Sequence, residues 1–207
     1  DLFIEYAKDS PTDIYIRLTI CNRGNEKQVL HVLPTLWSRN TWFADPKREK
    51  PLFEEDEGKI KAFHPTLGTY YLYGEESKEI LFTENETNDQ KIMGMPKRTG
   101  YAKDGFNDYL VEQDKSAVNP ERKGTKAAYH CVFTVDPGEE KQLYWRLTTQ
   151  GEEKKPLHDA SKVFKTRFRE AEEFYGELFH PEPLETIGGE LVGKLYQGCC
   201  GIKCITT

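Results

Sequence analysis

The sequence predicts a mainly β fold, an antiparallel β-sandwich with a C-terminal α-helix. Three observations predict it. Residues 13–21 alternate Ile14, Ile16, Leu18 and Ile20 with Tyr15, Arg17, Thr19 and Cys21, the period-two pattern of a half-buried strand. Short runs of β-type residues then recur at regular spacing, separated by Gly, Pro, Asn and Asp. From residue 157 the period changes to a helical one.

In chain order, residues 2–8 read as a strand and residues 10–13 as the turn that follows it. Residues 13–42 organise the rest. Asn22-Arg23-Gly24-Asn25-Glu26 supplies turn residues, so 13–21 and 29–37 are expected to form a hairpin anchoring one sheet. Pro34 has no N–H, and a ladder must end, bulge or face an edge there. Residues 43–58 read as a polar, acidic loop holding Glu54, Glu55, Asp56 and Glu57. Such a run of like charges is more often a solvated loop than a cation site. Residues 59–64, 69–73 and 79–83 form three short strands of a meander. Residues 127–135 and 141–149 flank Asp136-Pro137-Gly138-Glu139 as a second hairpin. Phe164, Phe168, Ala171, Tyr175 and Leu178 fall on one helical stripe expected to pack on the sandwich. Asp159 or Ser161 is the N-cap, and Pro181 and Pro183 end the helix near residue 179. A second helix is expected from about 187 or 190.

Composition narrows the function. The chain has 207 residues, enough for a sizeable core, and a net charge of −6, which argues against a general nucleic-acid binder. Mean hydropathy is −0.74, and no apolar run approaches the ~20 residues of a membrane span. The chain opens at Asp1 within a strand-like segment, without a signal peptide or initiator Met, so it is expected to be a piece of a longer protein, truncated on its N-terminal side. Five cysteines are an odd number. Cys21 and Cys131 fall in expected strands as small buried groups, while Cys199, Cys200 and Cys204 crowd the end with no zinc spacing. No cofactor or metal is expected, and the thiols fit a reducing, cytoplasmic setting. Asn85-Glu86-Thr87 is a formal glycosylation sequon that reads as a chance match in a polar loop.

Residues 85–126 form a long stretch without clear periodicity, and connections of that length tend to be functional or to cover something. Asp104 and Asp108 are its conspicuous carboxylates. An acid–base pair needs a fixed separation and split pKa values, which this spacing does not assure, so the expectation is that each caps a turn. Arg122, Lys123 and Lys126 decorate a solvated turn or meet an anion. His31, His64 and His130 lie in or beside strands, far apart in sequence, and form no recognisable set. There is no Gly-rich phosphate loop and no G-x-S-x-G elbow.

The segments LPTLWSRNTW (33–42), LFTENETN (81–88), DGFNDYLV with AVNPERKGTKAAYH (within 104–130) and FKTRFREAEEFYGEL (164–178) resemble the bacterial glucosidase-like proteins of glycoside hydrolase family 63. The resemblance covers nearly the whole chain up to about residue 195. It implies the non-catalytic N-terminal β-supersandwich, galactose-mutarotase-like, over residues 1–156, and a linker helix over 157–180. It implies that 181–207 open an (α/α)6 barrel. In such enzymes the paired acids of the inverting mechanism lie on the barrel, so no catalytic residue carries over to this chain. The tail GCCGIKCITT (198–207) departs from the pattern. A back-translation read in another frame gives MLWNKMHYY, so the tail from about 198 is expected to be a frameshift product.

The function expected from the resemblance is an accessory domain that braces its own catalytic barrel and shapes the active-site rim. Trp37, Trp42, Phe43 and the loop holding Tyr101, Asp104, Phe106, Asn107 and Tyr109 are the candidate contacts to barrel or carbohydrate. The alternative is an independent carbohydrate-binding module that meets an oligosaccharide through exposed aromatics. A stand-alone enzyme is disfavoured because no convergent acid–base set is visible. Strands missing from the sandwich would leave sheet edges uncovered, so self-association is expected, and neither nucleic acid nor membrane is an expected partner.

Overall fold

The computed structural model describes residues 1–178 apart from 46, 76, 78 and 97–99. The expected second helix, the barrel start and the cysteine-rich tail lie outside the described residues. The chain divides into two compact units at Val163 and Phe164. The first holds two antiparallel sheets. The larger has seven strands in the order β1 (Leu2–Ser10), β2 (Asp13–Cys21), β11 (Glu140–Thr148), β7 (Gly68–Gly74), β6 (Lys59–His64), β5 (Leu52–Asp56) and β9 (Lys123–Gly124). The smaller is built around β10 (Lys126–Val135). One side of β10 carries β3 (Gln28–Val32) and β4 (Thr35–Trp37), and the other carries β8 (Glu79–Thr83). Leu33 and Pro34 separate β3 from β4, so the proline interrupts an edge strand, where its missing donor costs least.

Ile20, Phe53, Ile60, Leu72, Phe82, Tyr129, Val135, Leu143 and Trp145 fill the space between the sheets. Each such side chain contributes about 1.5–3 kcal/mol when fully withdrawn from water. Ala127–Cys131 are buried at five successive positions, which period-two burial on one face cannot give. The outer face of the small sheet is covered too. Residues 85–125 hold two short helices, α1 (Asp89–Met93) and α2 (Gly105–Val111), and a 3-10 turn at Lys115–Ala117. Phe106 and Val118 from this excursion close over Leu81 and Ala128, forming a second core. The long connection therefore does cover something, and it is not structureless.

Neither expected hairpin forms. β2 pairs with β1 and β11, whereas β3 pairs with β10. Likewise β10 and β11 lie in different sheets, so Asn22–Lys27 and Asp136–Glu139 are crossings between layers. The two crossings are stitched together. Asn22 N–H donates to Glu139 O, Gly138 N–H donates to Asn22 O, and Asn22 Nδ2 donates to both Val135 O and Glu26 O. Turn residues specify a reversal; they do not specify that the chain returns to the same sheet. The meander is corrected in part. β6 and β7 pair as expected, but β8 crosses to the small sheet, β11 takes its place beside β7, and β5 pairs on the other side of β6. β5 carries the acidic run expected in a loop. Its charges are matched: Glu54 by Lys61 at 2.8 Å, Glu55 by Arg122 at 2.6 Å and Asp56 by Lys59 at 3.1 Å.

The sandwich closes on the β9 side. At Thr125 the chain steps from β9 in one sheet to β10 in the other, with Thr125 N–H donating to Thr83 O. Only glycine fits at position 124, because a Cβ there would lie 2.3 Å from Thr83 O. Asp13 and Arg146 anchor the exit of the chain from β11. Two guanidinium nitrogens donate to Asp13 at 2.9 and 2.6 Å, while Nη1 and Nη2 also reach Pro156 O and Gln150 Oε1. The last helix, α3 (Ala160–Leu178), begins directly after Asp159 and runs across the division between the units. Phe168 and Phe174 on it are exposed.

Candidate functional site

The segments 38–43, 84–88 and 100–126 meet at one end of the sandwich. Backbone bonds from Glu84 N–H to Tyr101 O and from Lys103 N–H to Glu86 O zip two of them together. Asn85 joins a third, with Asn85 Nδ2 donating to Ser38 O and Asn40 Nδ2 donating to Asn85 O. The sequon nitrogen is thus already engaged. Thr125 completes the knot, its Oγ1 accepting from Asn85 N–H and donating to Glu84 Oε2.

Two depressions result, sharing Thr87. One, of about 200 Å³, is acidic, with carboxylates of Glu84, Glu86, Asp89, Asp104, Asp108 and Asp114 around it. The other is shallow and open, bounded by Trp37, Asn40, Asn85, Lys103 and Lys126. Lys126 Nζ donates to Lys103 O at 2.8 Å and lies 4.5 Å from the centre of the Phe106 ring. Burial pulls its ammonium below the usual lysine value, with Lys103 adding to the effect.

The candidate contacts separate into exposed and buried groups. Trp42 is only 4 % exposed and its Nε1 donates to Glu86 Oε1, so it is a structural residue of the knot and not a contact surface. Phe106 is buried in the second core. Both are corrections: Trp42, at an expected strand end, is covered by the 85–125 excursion, and Phe106, itself on that excursion, turns inward onto the small sheet. Phe43 is exposed, Tyr101 lines the acidic depression, and Asn107 is exposed beside Asp108. Trp37 is 58 % exposed, on an edge strand next to Lys126. Asp104 and Asp108 do not cap turns with their side chains. Asp104 accepts from Asn88 Nδ2, and both carboxylates face Lys91 Nζ, at 3.6 and 3.0 Å. Two acids sharing one cation are not the opposed pair that glycoside cleavage needs. Among the described residues, no group of three or more His, Cys, Asp or Glu is arranged to hold a metal ion.

Tyr109 leads to a set that spacing does not reveal. Its hydroxyl donates to Glu79 Oε2 at 2.9 Å, Glu79 Oε1 lies 3.0 Å from His130 Nδ1, and His130 Nε2 lies 2.9 Å from His31 Nδ1. The two imidazoles stack at 5.1 Å, and His130 is 2 % exposed. Four elements contribute to this chain of groups. The signal was the register itself, which sets His130 opposite Glu79 and one step diagonal to His31. That register is invisible without the β3–β10–β8 order.

No protein-family model matches the chain. It is similar to the uncharacterized protein YMR196W of Saccharomyces cerevisiae, 34% identical over 220 aligned positions, covering 86% of this chain. The chain spans 20% of that relative's length. Among the described residues no helix is long and apolar enough to cross a membrane.

Proposed function

We propose that this chain is a non-catalytic supporting module, a galactose-mutarotase-like supersandwich, within a longer glycoside hydrolase of the family 63 kind. It braces an (α/α)6 catalytic barrel in the same polypeptide and shapes the rim of its active site. One observation carries the reading. Three of the four segments that resemble the glucosidase-like proteins are scattered between residues 33 and 130, yet they converge on one end of the sandwich, around the two depressions. The span of one fifth of a relative's length is in keeping with a module of a larger protein. Hydrolysis, by inversion, belongs to the barrel in this reading. The free thiols Cys21 and Cys131 accord with a reducing, cytoplasmic setting.

The second reading is an independent carbohydrate-binding module, and the observation favouring it is Trp37, an exposed indole beside Asn40, Asn85 and Lys103. Tryptophan fluorescence separates the two. Of three tryptophans, Trp42 and Trp145 are buried, so quenching reports on Trp37. Titration with malto- and manno-oligosaccharides is expected to be silent, whereas acrylamide is expected to quench Trp37 strongly in this chain and weakly in the full-length protein. Saturable sugar binding by the chain establishes the second reading, and equal quenching in chain and full-length protein sinks the first.

A further inference from the structure

The two depressions differ in how their charges are matched. In the acidic one, Asp104 and Asp108 share Lys91, and Glu86 accepts from Lys50 at 2.7 Å and from the Trp42 indole. In the open one, of about 490 Å³, the charged groups are Lys103 and Lys126. Lys126 Nζ donates to Lys103 O and lies over the Phe106 ring, and among the described residues neither ammonium has an acidic partner. Burial of Lys126 and the like charge of Lys103 both disfavour its ammonium form. In a chain of net charge −6, this spot is locally positive.

Strand register builds the rest. Trp37 of β4 stands directly opposite Lys126 of β10, so indole and ammonium share one face of the small sheet. Beside them Asn85 is fixed three ways: its N–H donates to Thr125 Oγ1, its Nδ2 donates to Ser38 O, and its carbonyl accepts from Asn40. Its Oδ1 and the Thr87 hydroxyl make no hydrogen bond among the described residues. One depression therefore offers a flat apolar face, an amide oxygen, a hydroxyl and two ammonium groups, on backbone that is already held. From this we infer that it takes a negatively charged sugar, a pyranose bearing a carboxylate or a phosphate group. The C–H face of the ring lies on Trp37, its hydroxyls meet Asn85 Oδ1 and Thr87, and the charged group sits between Lys103 and Lys126, where charge-assisted bonds form. The inference rests on the carbohydrate-facing role proposed for this end of the sandwich and adds the charge of the sugar.

Calorimetric titration of the whole chain with glucose 6-phosphate, a glucuronate-ended disaccharide, maltose, AMP and inorganic phosphate tests this. The better of the two charged sugars is expected to bind about tenfold tighter than maltose or more, the worth of one charge-assisted hydrogen bond, and to weaken as salt is added. Which of the two binds better identifies the charged group. K126M and K103M are each expected to bring that sugar down to the level of maltose, and W37A to weaken it as well. Should K126M not fold, K103M decides, because the Lys103 side chain is exposed. Maltose binding as tightly as both charged sugars overturns the inference and leaves the carbohydrate-facing role standing. Silence from every sugar removes both. Inorganic phosphate or AMP binding as tightly as the charged sugar, or a charged sugar indifferent to K103M, also overturns the inference.

Discussion

Two buried polar clusters hold this sandwich, and they are built on opposite principles. At Asp13 and Arg146 an acid and a guanidinium meet in a bidentate pair, and their side chains are only 6 and 9 % exposed. The acid also accepts from Thr148 Oγ1, and the guanidinium reaches two further oxygens in the segment leading to α3. At His31, His130, Glu79 and Tyr109 the bonds run in a line that joins β3, β10 and β8 to the helix α2. The first cluster is a rivet. The second is a relay of single hydrogen bonds through which the covering excursion rests on the sheet. The difference is one of geometry: the pair that fixes the chain path is a bidentate contact walled off from water, and the line under the loop is joined by one bond at each step.

The largest effect should come from breaking the rivet. Asp13→Ala strands a buried guanidinium and is expected to cost about 3–5 kcal/mol in urea unfolding, whereas Asp13→Leu with Arg146→Met should cost far less. In the second cluster, His130→Leu is expected to cost about 1–3 kcal/mol, because Glu79 and His31 are near enough to solvent to find water. Comparable losses at both sites would erase the distinction.

Alkaline pH sharpens it. Burial raises the phenols of Tyr15, beside Arg146, and of Tyr109, beside Glu79, above their ordinary value of 10.0. For Tyr109 the Glu79 carboxylate adds to the rise, while at Tyr15 Arg146 opposes it. The folded state holds these protons more tightly than the unfolded chain. Their contribution is therefore complete below pH 10 and is lost as the pH climbs through the raised values. Urea midpoints between pH 8 and 11.5 should fall above pH 10, and Tyr109→Phe should soften that fall. The smallest effect is spectroscopic. With Glu79 ionised, His130 donates from Nδ1 and His31 Nδ1–H donates to His130 Nε2, so nitrogen NMR should find His31 as the Nδ1–H tautomer.

Much of the fold was legible because period-two patterning survives any topology. The segment of β2 could be read from alternation, those of β6, β7, β10 and β11 from short β-type runs between turn residues, and the break at Pro34 from its missing N–H. What could not be read was partnership. Asn22–Glu26 and Asp136–Glu139 carry turn chemistry, and whether a reversal stays in its sheet depends on which face finds cover, a matter of the whole chain. β5 was hidden because its acids are neutralised by Lys59 and Lys61 of the neighbouring strand and by Arg122, none of which periodicity registers. At the candidate site the loop residues were found, but their exposure was not. Trp42 is covered by the 85–125 excursion, and on that excursion Phe106 turns inward while its neighbour Asn107 stays exposed. The imidazole pair was missed because ninety-nine residues separate its members.

The paired crossings have a bearing on how the protein is made. Asp13 finds its β11 partner only at Thr148, and Gln28 finds its β10 partner only at Val135. The small layer therefore cannot be completed on the ribosome until Val135 has emerged, nor the large one until Thr148, and β1 with β2 must wait as an isolated ribbon. Such long-range closure makes for slow maturation, with the nascent N-terminal strands as clients for a chaperone.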